Sequence, residues 1–341
     1  MRKTSHYRPP AACTAPPGSL PRRFRRPRLL IVGAGDIGMR LAALLQQRYG
    51  LHWRVLATTR RADQAQRLRA AGALPLPIDL DRIGQVRRLR GLANWMIDLA
   101  PPPAAGPGDP RTRRLTAALR LAAAAPRLAT ALRLGAADPL RGAAGARWVY
   151  ISTTGVYGDC GGASFDETRP TRPGSERALR RVDAERSMRA AGRDAPVSVS
   201  ILRVPGIYAE DRLPLDRLQR RTPVLRAEDD VYTNHIHGDD LARLCLASLW
   251  HGRANRTYHA VDDSDSKMGD YFDRVADAAG LPRPPRLPRA EIARQVSPAM
   301  LSFMSESRRL RNGRIKRELR FQFLFPTVAD ALLRLRWRPH P

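Results

Sequence analysis

Apolar runs and amphipathic stretches alternate along the N-terminal part of the chain. The run Arg28–Gly33 is continuously apolar after its arginine and ends at a glycine, which is typical of a strand buried on both faces of a parallel sheet. Apolar residues then recur at helical spacing from Ile37 to Leu45, and Gly50 supplies a stop. This pattern predicts a strand, a tight turn and a helix in direct succession.

The same alternation predicts the elements that follow. Further strands are predicted at Trp53–Thr58, Leu74–Asp79, Trp95–Leu99, Trp148–Ser152 and Val197–Leu202. Helices are predicted at Arg82–Leu89, Arg111–Ala125 and Ser175–Ala191. Alternating strands and helices imply an α/β fold, a Rossmann-type doubly wound parallel sheet, over residues 28–206.

After Arg203 the elements shorten and turns multiply, which predicts a small C-terminal substrate lobe over residues 207–335. Within it, we expect a helix at 239–250 and a strand near 257–261 to return to the Rossmann domain. Asp239 and Asp240 precede the helix, and aspartate is a good N-cap.

Two segments fall outside this alternation. Residues 1–27 are rich in Arg and Pro and contain no acidic residue, so we predict a disordered tail. The segment 126–146 is rich in Ala, Leu and Arg, and a helical hairpin covering the sheet edge is favoured there over a functional insert.

Composition narrows the class of protein. The chain has 60 Lys+Arg against 32 Asp+Glu, a net charge of +28, yet 43% of its residues are apolar, so it is not mainly disordered. Lysine occurs only at Lys3, Lys267 and Lys316, and the resulting arginine bias is typical of a G+C-rich genome. Because the arginines are dispersed among acidic residues, nucleic acid is not expected as a partner, except through contacts of the tail.

The cysteines and the hydropathy indicate a protein of the cytoplasm. Cys13, Cys160 and Cys245 are far apart and odd in number, which favours neither a disulfide framework nor a zinc site. No apolar run approaches the ~20 residues that a membrane-spanning helix needs. No apolar core follows the N-terminal arginines, as a secretory signal requires. We therefore expect no membrane interaction.

The turn Gly33-Ala-Gly35-Asp36-Ile37-Gly38 has the spacing of a dinucleotide-binding loop. The first glycine permits the tight turn, the second lets the backbone approach a pyrophosphate, and the third lets the helix pack closely on the strand. A G-x-G-x-x-G string alone is weak evidence, but here it lies between a buried strand and an amphipathic helix. All the residues of this turn except Ala34 are predicted to contact the dinucleotide.

The end of the second strand indicates which dinucleotide is preferred. An acidic residue about 20 positions beyond the glycines would bind the ribose 2′-hydroxyl of NAD. Thr58 and Thr59 stand there instead, followed by Arg60 and Arg61, which favours the 2′-phosphate of NADP over NAD. In a chain so rich in arginine, an accidental pair is the alternative.

Residues after the third and fourth strands complete the predicted cofactor site. Asp79 and Leu80 are candidates for the edge of the adenine pocket, although Asp79 is equally suited to cap the next helix. Leu99, Ala100 and Pro101, after the fourth strand, are also expected at the cofactor.

Four motifs occur along the chain in a fixed order: Tyr150-Ile-Ser-Thr-Thr-Gly-Val-Tyr-Gly-Asp159 with Asp166, Glu167 and Pro170 downstream, Leu202-Arg-Val-Pro-Gly-Ile-Tyr208, His235-Ile-His-Gly-Asp-Asp-Leu-Ala242, and Ser305-Glu-Ser-Arg-Arg-Leu-Arg-Asn312. With the glycine loop, they resemble the extended short-chain dehydrogenase/reductases, the NAD(P)-dependent epimerase/dehydratase family, and above all its atypical branch. The resemblance spans about residues 28 to 335, and the order of the motifs is more specific than any one of them.

The resemblance implies a catalytic site in which two of the family's residues are replaced in this chain. The family uses a Ser/Thr that polarises a substrate oxygen, a Tyr that transfers a proton and a Lys four residues later. Thr153 matches the Ser/Thr. If Glu185 is the Glu that commonly follows the Lys, then Arg177 replaces the Tyr and Arg181 the Lys. A guanidinium stays protonated near neutral pH and cannot act as the general acid or base, although Arg177 could hold an anionic substrate.

Further residues match other positions of the family. Val204, Pro205 and Gly206 are implied at the nicotinamide through backbone groups, and Arg212 is either a phosphate contact or a solvated arginine. Tyr157 or Tyr208 would replace the missing tyrosine only if its hydroxyl pointed at the nicotinamide, and for Tyr157 packing beneath the loop is favoured.

A metal site is not expected. His235, His237 and Asp239 have the period-two spacing that would put three ligands on one face of a strand. The resemblance instead assigns this segment to the family's entry into a helix.

The residues and the resemblance together favour an NAD(P)-binding, epimerase/dehydratase-like oxidoreductase with altered chemistry. NADP is the preferred cofactor, and the substrate is expected to be small and anionic or nucleotide-linked. The alternative is a non-catalytic NADPH-binding regulatory protein. A homodimer is the family-level expectation.

Overall fold

The computed structural model describes residues 27–120 and 145–334. The predicted tail up to residue 26 and the predicted hairpin segment up to residue 144 lie outside the described residues. The strands are β1 (Arg28–Val32), β2 (Arg54–Thr59), β3 (Ala73–Pro77), β4 (Trp95–Asp98), β5 (Ala146–Thr153), β6 (Ser164–Phe165), β7 (Val197–Val204), β8 (Gly206–Tyr208), β9 (Val224–Leu225), β10 (Tyr232–Thr233), β11 (His235–His237), β12 (Arg256–His259), β13 (Ser266–Lys267), β14 (Arg286–Leu287) and β15 (Arg309–Leu310).

Helices connect most of the long strands. They are α1 (Asp36–Tyr49), α2 (Ala62–Ala70), α3 (Ile83–Arg87), α4 (110–120 within the described residues), α5 (Glu176–Asp194), α6 (Leu215–Gln219), α7 (Gly238–His251), α8 (Met268–Ala278), α9 (Arg289–Gln295), α10 (Pro298–Phe303), α11 (Gly313–Glu318) and α12 (Val328–Arg334). Single 3₁₀ turns occupy Gly50–His52, Thr154–Tyr157 and Glu210–Arg212.

Seven strands form one parallel sheet in the order β3-β2-β1-β4-β5-β7-β12. The strand order reverses between β1 and β4, and ligands of such sheets bind outside the carboxyl ends of the strands at this point. The predicted Rossmann-type, doubly wound fold is confirmed. The strand predicted near 257–261 is β12, and it pairs with β7 at the edge of this sheet.

Alternate residues of β1 face two separate cores. Leu29 and Ile31 pack with apolar residues of α1 and α7 on one face of the sheet. Leu30 and Val32 pack on the other face with apolar residues of α3, α4 and α5. Because both faces are covered by helices, the central strands are largely buried, as their apolar sequences predict, whereas Leu74 of the edge strand β3 is exposed.

Apart from α7 and β12, the residues after β7 build the smaller lobe from short pieces. Apolar residues of α6, α8 and α12 form a separate core around Tyr208 and Tyr271. Three strand pairs, β8 with β11, β9 with β14 and β6 with β15, are parallel, and β10 pairs with β13 antiparallel. The division of the chain at residue 206 and the substrate role of the lobe stay predictions.

The cap of α7 differs from the sequence prediction. The N-cap is His237, whose Nδ1 accepts a hydrogen bond from the backbone N–H of Asp239 at 3.2 Å. The predicted aspartate cap is wrong because the helix begins at Gly238, which places both aspartates inside its first turn. There they lie near the positive end of the helix dipole. In the part of the chain that the structure describes, no helix is long and apolar enough to cross a membrane.

Candidate active site

The glycine turn at the end of β1 brings the chain close to β2 and β4. Gly33 has a φ of +74°, and a Cβ atom there would lie 2.7 Å from the Cα atom of Ala100. Its N–H donates to Thr58 Oγ1 at 2.8 Å, and the next N–H, of Ala34, donates to the Thr58 carbonyl at 3.0 Å. The turn therefore requires glycine on both conformational and steric grounds.

The other two glycines of the loop have different surroundings. A Cβ atom at Gly35 would meet no atom within 4 Å, so the backbone there faces open space. A Cβ atom at Gly38 would lie 3.1 Å from the Ala34 Cβ and 3.3 Å from Leu99 Cδ1. Gly38 thus packs α1 closely against the sheet. Gly35, the N-cap of α1, leaves room above the free N–H groups of the first helical turn.

A cleft of about 800 Å³, open to solvent, lies at the carboxyl ends of β1 to β4. We call it the glycine cleft, and it is lined by Gly33, Ala34, Gly35, Thr58, Thr59, Arg60, Arg61, Gln64, Ile78, Asp79, Leu80, Leu99, Ala100, Pro101 and Arg111. Most of the residues predicted at the cofactor line it. Asp36, Ile37, Gly38, Val204, Pro205 and Gly206 were also predicted there but are not among its lining residues.

Gln64 and Arg111 line the glycine cleft, and sequence reasoning missed both. Gln64 Oε1 accepts from the Thr59 hydroxyl at 2.7 Å, and its Nε2 donates to the Ala34 carbonyl, so it ties β2 to the glycine turn. Arg111 donates to both carboxylate oxygens of Asp81, at 2.8 and 2.6 Å, and to the Pro101 carbonyl. Neither belongs to a motif, and each reaches the cleft only through contacts between separate elements.

The two arginines after β2 differ in their partners. Arg61 donates to both oxygens of Asp63, at 3.1 and 2.5 Å. Arg60 is exposed and makes no hydrogen bond or ion pair with any residue between 27–120 and 145–334. The structure thus leaves Arg60, and not Arg61, with an uncommitted guanidinium at the rim of the cleft.

Asp79 and Asp36 also have defined positions. Asp79 lines the cleft, and its carboxylate accepts from the Asp81 N–H at 3.0 Å. The cap residue of α3 is Arg82, so Asp79 does not cap that helix. Asp36 forms ion pairs with Arg40 at 3.1 Å and with Arg212 at 3.0 Å. Arg212 therefore lies beside the start of α1 and is not simply solvated.

A second cavity of about 660 Å³, also open to solvent, adjoins the first. We call it the arginine pocket, and it is lined by Pro101, Pro102, Pro103, Ala104, Thr153, Arg177, Arg180 and Arg181. Pro101 lines both cavities. The three residues predicted at the catalytic site, Thr153, Arg177 and Arg181, are therefore brought together next to the predicted cofactor site.

The three predicted catalytic side chains have distinct contacts. Thr153 caps the 3₁₀ turn, and its Oγ1 accepts from the Gly155 N–H at 3.3 Å, which leaves the hydroxyl proton available. Arg181 Nη1 donates to the Ile151 carbonyl at 2.8 Å, to the Tyr150 hydroxyl at 3.0 Å and to the Ala100 carbonyl at 3.4 Å. Arg177 is exposed, and its guanidinium carbon lies 4.2 Å from the ring centre of Phe303.

Glu185 lies at the centre of a buried hydrogen-bond network. It accepts two bonds from Arg203, at 3.0 and 2.8 Å, one from Arg189 at 3.0 Å and one from the Ser152 hydroxyl at 2.6 Å. Burial opposes ionisation of Glu185, but the hydrogen bonds and charges of Arg203, with those of its other partners, outweigh it and lower the pKa of this carboxyl. Glu185 therefore holds α5 against β5 and β7 as an ionised group.

Tyr157 extends this network and does not face either cavity. Its hydroxyl accepts from Arg203 Nη1 at 2.6 Å and lies 2.6 Å from His259 Nε2, and only 1% of the residue is exposed. Burial is the main cause that raises the pKa of Tyr157. Tyr208 is equally buried, and its hydroxyl donates to Asp262. No tyrosine lines either cavity within the described residues.

A buried carboxylate, Asp98, precedes Pro101, the residue that lines both cavities, by three positions. Asp98 is 1% exposed and accepts from the Ala100 N–H at 3.0 Å. Burial, together with the charge of Asp109, outweighs that hydrogen bond and the charge of Arg181, and raises the pKa of Asp98 to about 7. Near neutral pH, Asp98 is thus only partly ionised.

The histidines of β11 have structural contacts. His235 stacks on Tyr271 with ring centres 4.2 Å apart, and His237 caps α7. Across residues 27–120 and 145–334, no group of three or more His, Cys, Asp or Glu side chains is arranged to hold a metal ion.

Comparison with known proteins identifies the family. The model of the NAD dependent epimerase/dehydratase family matches residues 29–261, which is more than half of the chain. The chain belongs to this family. The match covers the whole parallel sheet and both cavities, whereas α8 to α12 lie beyond it. No curated protein matches the sequence.

Solved structures of the same fold cover nearly the whole chain. A functionally unknown conserved protein from Silicibacter pomeroyi DSS is 28% identical, with a TM-score of 0.69, covering 91% of this chain and 98% of that one. DesIV, a dTDP-glucose 4,6-dehydratase from Streptomyces venezuelae, is 21% identical, with a TM-score of 0.66 and coverage of 90% and 95%. UDP-glucuronic acid 4-epimerase from Bacillus cereus is 14% identical, with a TM-score of 0.67 and coverage of 89% and 96%.

Proposed function

We propose that this family member is a nicotinamide-dinucleotide-dependent oxidoreductase or epimerase that prefers NADP to NAD and acts on a small substrate held in the arginine pocket. The observation that carries the proposal is the shared wall at Pro101, which joins the glycine cleft to the pocket that holds Thr153. A cofactor in the first cavity therefore adjoins a substrate in the second.

The residues of the glycine cleft suit a dinucleotide. Gly35 leaves the backbone open beside the first turn of α1, where N–H groups and the helix dipole favour a pyrophosphate. The structures of DesIV and of the Bacillus cereus epimerase were solved with NAD, which supports this assignment. When bound, a nicotinamide dinucleotide supplies a hydride acceptor or donor.

The preference for NADP rests on the rim of the cleft. Thr58 and Thr59 end β2 without a carboxylate, and the exposed guanidinium of Arg60 forms no hydrogen bond or ion pair within the described residues, although its charge acts on Asp81. A free guanidinium is suited to the 2′-phosphate, and no carboxylate stands at the end of β2 to repel it. Arg61 is the weaker candidate because Asp63 already occupies its guanidinium.

In the arginine pocket we assign the polarisation of a substrate oxygen to Thr153 and assign proton transfer to none of the arginines. Thr153 donates its hydroxyl hydrogen to a substrate oxygen, as the family position implies. Arg177 and Arg181 stand in place of the family's Tyr and Lys and keep their protons, so they stabilise negative charge and do not exchange a proton. The hydroxyls of Tyr157 and Tyr208 are committed to buried partners, so neither supplies the missing proton donor.

A non-catalytic NADPH-binding regulator is the second candidate. The anchoring of Arg181 by three oxygen atoms favours it, because this side chain then serves the structure whether or not turnover occurs. The retention of Thr153 at the wall of an open pocket favours the enzyme.

One experiment tests both candidates. The protein is titrated with NADPH and NADH while nicotinamide fluorescence is followed, and absorbance is then monitored across a panel of carbonyl compounds and nucleotide sugars. Binding with turnover is expected. Binding without turnover would leave only the regulator, and failure of both nucleotides to bind would overturn the proposal.

A further inference from the structure

Three arginines of α5 face the same pocket. Arg177, Arg180 and Arg181 lie at positions i, i+3 and i+4 of the helix, a spacing that places side chains on one face. All three line the arginine pocket, and no carboxylate is among its lining residues. As far as the structure describes the chain, the wall of the pocket therefore carries three positive charges and no negative one.

The charges of these arginines are poorly balanced by the protein. Arg180 is only 6% exposed, yet its one carboxylate partner among the described residues is Glu176, at 3.3 Å, whose side chain is 82% exposed. Its Nη1 also donates to the Gly106 carbonyl at 3.0 Å, whereas its Nε is buried without a hydrogen-bond partner. A buried guanidinium with an unused donor is costly unless a further acceptor approaches it.

The two neighbouring arginines show the same imbalance. Arg181 donates only to two carbonyls and a hydroxyl, and no carboxylate of the described residues lies within 4 Å of it. The charge of Arg181 acts on the buried Asp98, but burial raises the pKa of this carboxyl to about 7, so Asp98 is only partly ionised near neutral pH. Arg177 makes no ion pair within the described residues and packs on the exposed ring of Phe303.

We propose that Arg177, Arg180 and Arg181 form a subsite for an oxyanion group, a carboxylate or a phosphoryl group, carried by the substrate. The N–H groups of a guanidinium match the oxygen atoms of either group in geometry. Three guanidinium groups around one cavity carry positive charge that a bound oxyanion would neutralise. That the oxyanion belongs to the substrate rests on the function proposed above. Binding of an anion at the three arginines does not depend on a dinucleotide.

Phe303 of α10 completes the subsite. Its ring lies against the guanidinium of Arg177, although α10 belongs to the part of the chain after residue 261, beyond the family match. The smaller lobe thereby fixes the exposed arginine at the mouth of the pocket.

Isothermal titration of the full chain with inorganic phosphate and, separately, with succinate tests the subsite without any cofactor. Arg177→Gln and Arg180→Gln are compared with Arg186→Gln, which removes one exposed arginine of the same helix that does not line the pocket. We expect saturable binding of at least one anion, weakened about tenfold or more by the first two variants and less than about twofold by the third. The anion that binds more tightly distinguishes a phosphoryl from a carboxylate group.

Other outcomes would overturn the subsite. One is that neither anion binds saturably. The other is that all three variants weaken binding equally, which would mean that the anions respond only to the net charge of the chain. If Arg180→Gln fails to fold by thermal denaturation, the exposed Arg177→Gln decides alone. Titration of the wild-type chain with NADPH is run in parallel, so that an intact dinucleotide site with no anion binding refutes this inference and leaves the proposed function standing.

Discussion

Replacement of Arg60 by alanine is expected to weaken the binding of NADPH about tenfold and to leave the binding of NADH nearly unchanged. A hydrogen bond to a charged group contributes about 1.5–3 kcal/mol. Arg60 is exposed, so solvent screening places its contribution at the lower end of that range. About 1.4 kcal/mol corresponds to a tenfold change in Kd. NADH offers only a hydroxyl at this position and loses far less.

The assay is fluorescence titration of both nucleotides at low and at high salt. Arg67→Ala is the matched control, because it removes an exposed arginine from α2 that does not line the glycine cleft. The double variant Arg61→Ala/Asp63→Ala removes the neighbouring ion pair and is expected to change the affinity for NADPH less than about twofold. The difference between NADPH and NADH should shrink as salt rises. Equal losses for both nucleotides in Arg60→Ala would refute the assignment of the 2′-phosphate to this residue.

Further predictions concern Gly35, Glu185 and Thr153. Gly35→Val is expected to abolish dinucleotide binding with a change of less than about 1 kcal/mol in the free energy of unfolding, because its side chain would enter open space, whereas Gly33→Ala should destabilise the fold measurably in denaturant. Glu185→Gln is expected to lower the free energy of unfolding by about 3 kcal/mol, against less than about 0.5 kcal/mol for Arg186→Gln, and a smaller difference between the two would contradict the buried ion pair. The pKa of Glu185 is lowered in the folded state, so ionised Glu185 stabilises the fold fully above the unfolded pKa near 4.5, and this stabilisation is lost as pH falls through the folded pKa. Acid denaturation of Glu185→Gln should therefore show a weaker pH dependence than acid denaturation of the wild type. Thr153→Val is expected to reduce kcat about 100-fold while the Kd for NADPH stays constant, and an unchanged kcat would remove Thr153 from the mechanism.

The local parts of the fold are well predicted by the sequence. The apolar run of β1, the roles of the three glycines and the helix of α1 depend on neighbouring residues, and the surroundings of Gly33, Gly35 and Gly38 match their expected tasks. Boundaries move by a few residues, as in α5, which was predicted over Ser175–Ala191 but begins at Glu176, with Ser175 as its N-cap, and continues to Asp194. Such ends depend on packing more than on local propensity.

The parts of the site that the sequence could not predict depend on contacts between distant segments. The cofactor contact of Asp36 stays a prediction, but its ion pair with Arg212, 176 residues away, could not be seen in the sequence. Arg180 resembles the other arginines of a basic helix until the fold places it in a pocket beside Pro101 and Thr153. Phe303 carries no motif and reaches Arg177 only through the packing of the smaller lobe.

A crystal structure of the protein grown with NADPH tests the central claim most directly. The account predicts a dinucleotide in the glycine cleft, with its pyrophosphate at Gly35, its 2′-phosphate at Arg60 and its nicotinamide toward Pro101 and Thr153. A dinucleotide bound elsewhere, or in the cleft with its nicotinamide at Arg60, would contradict it.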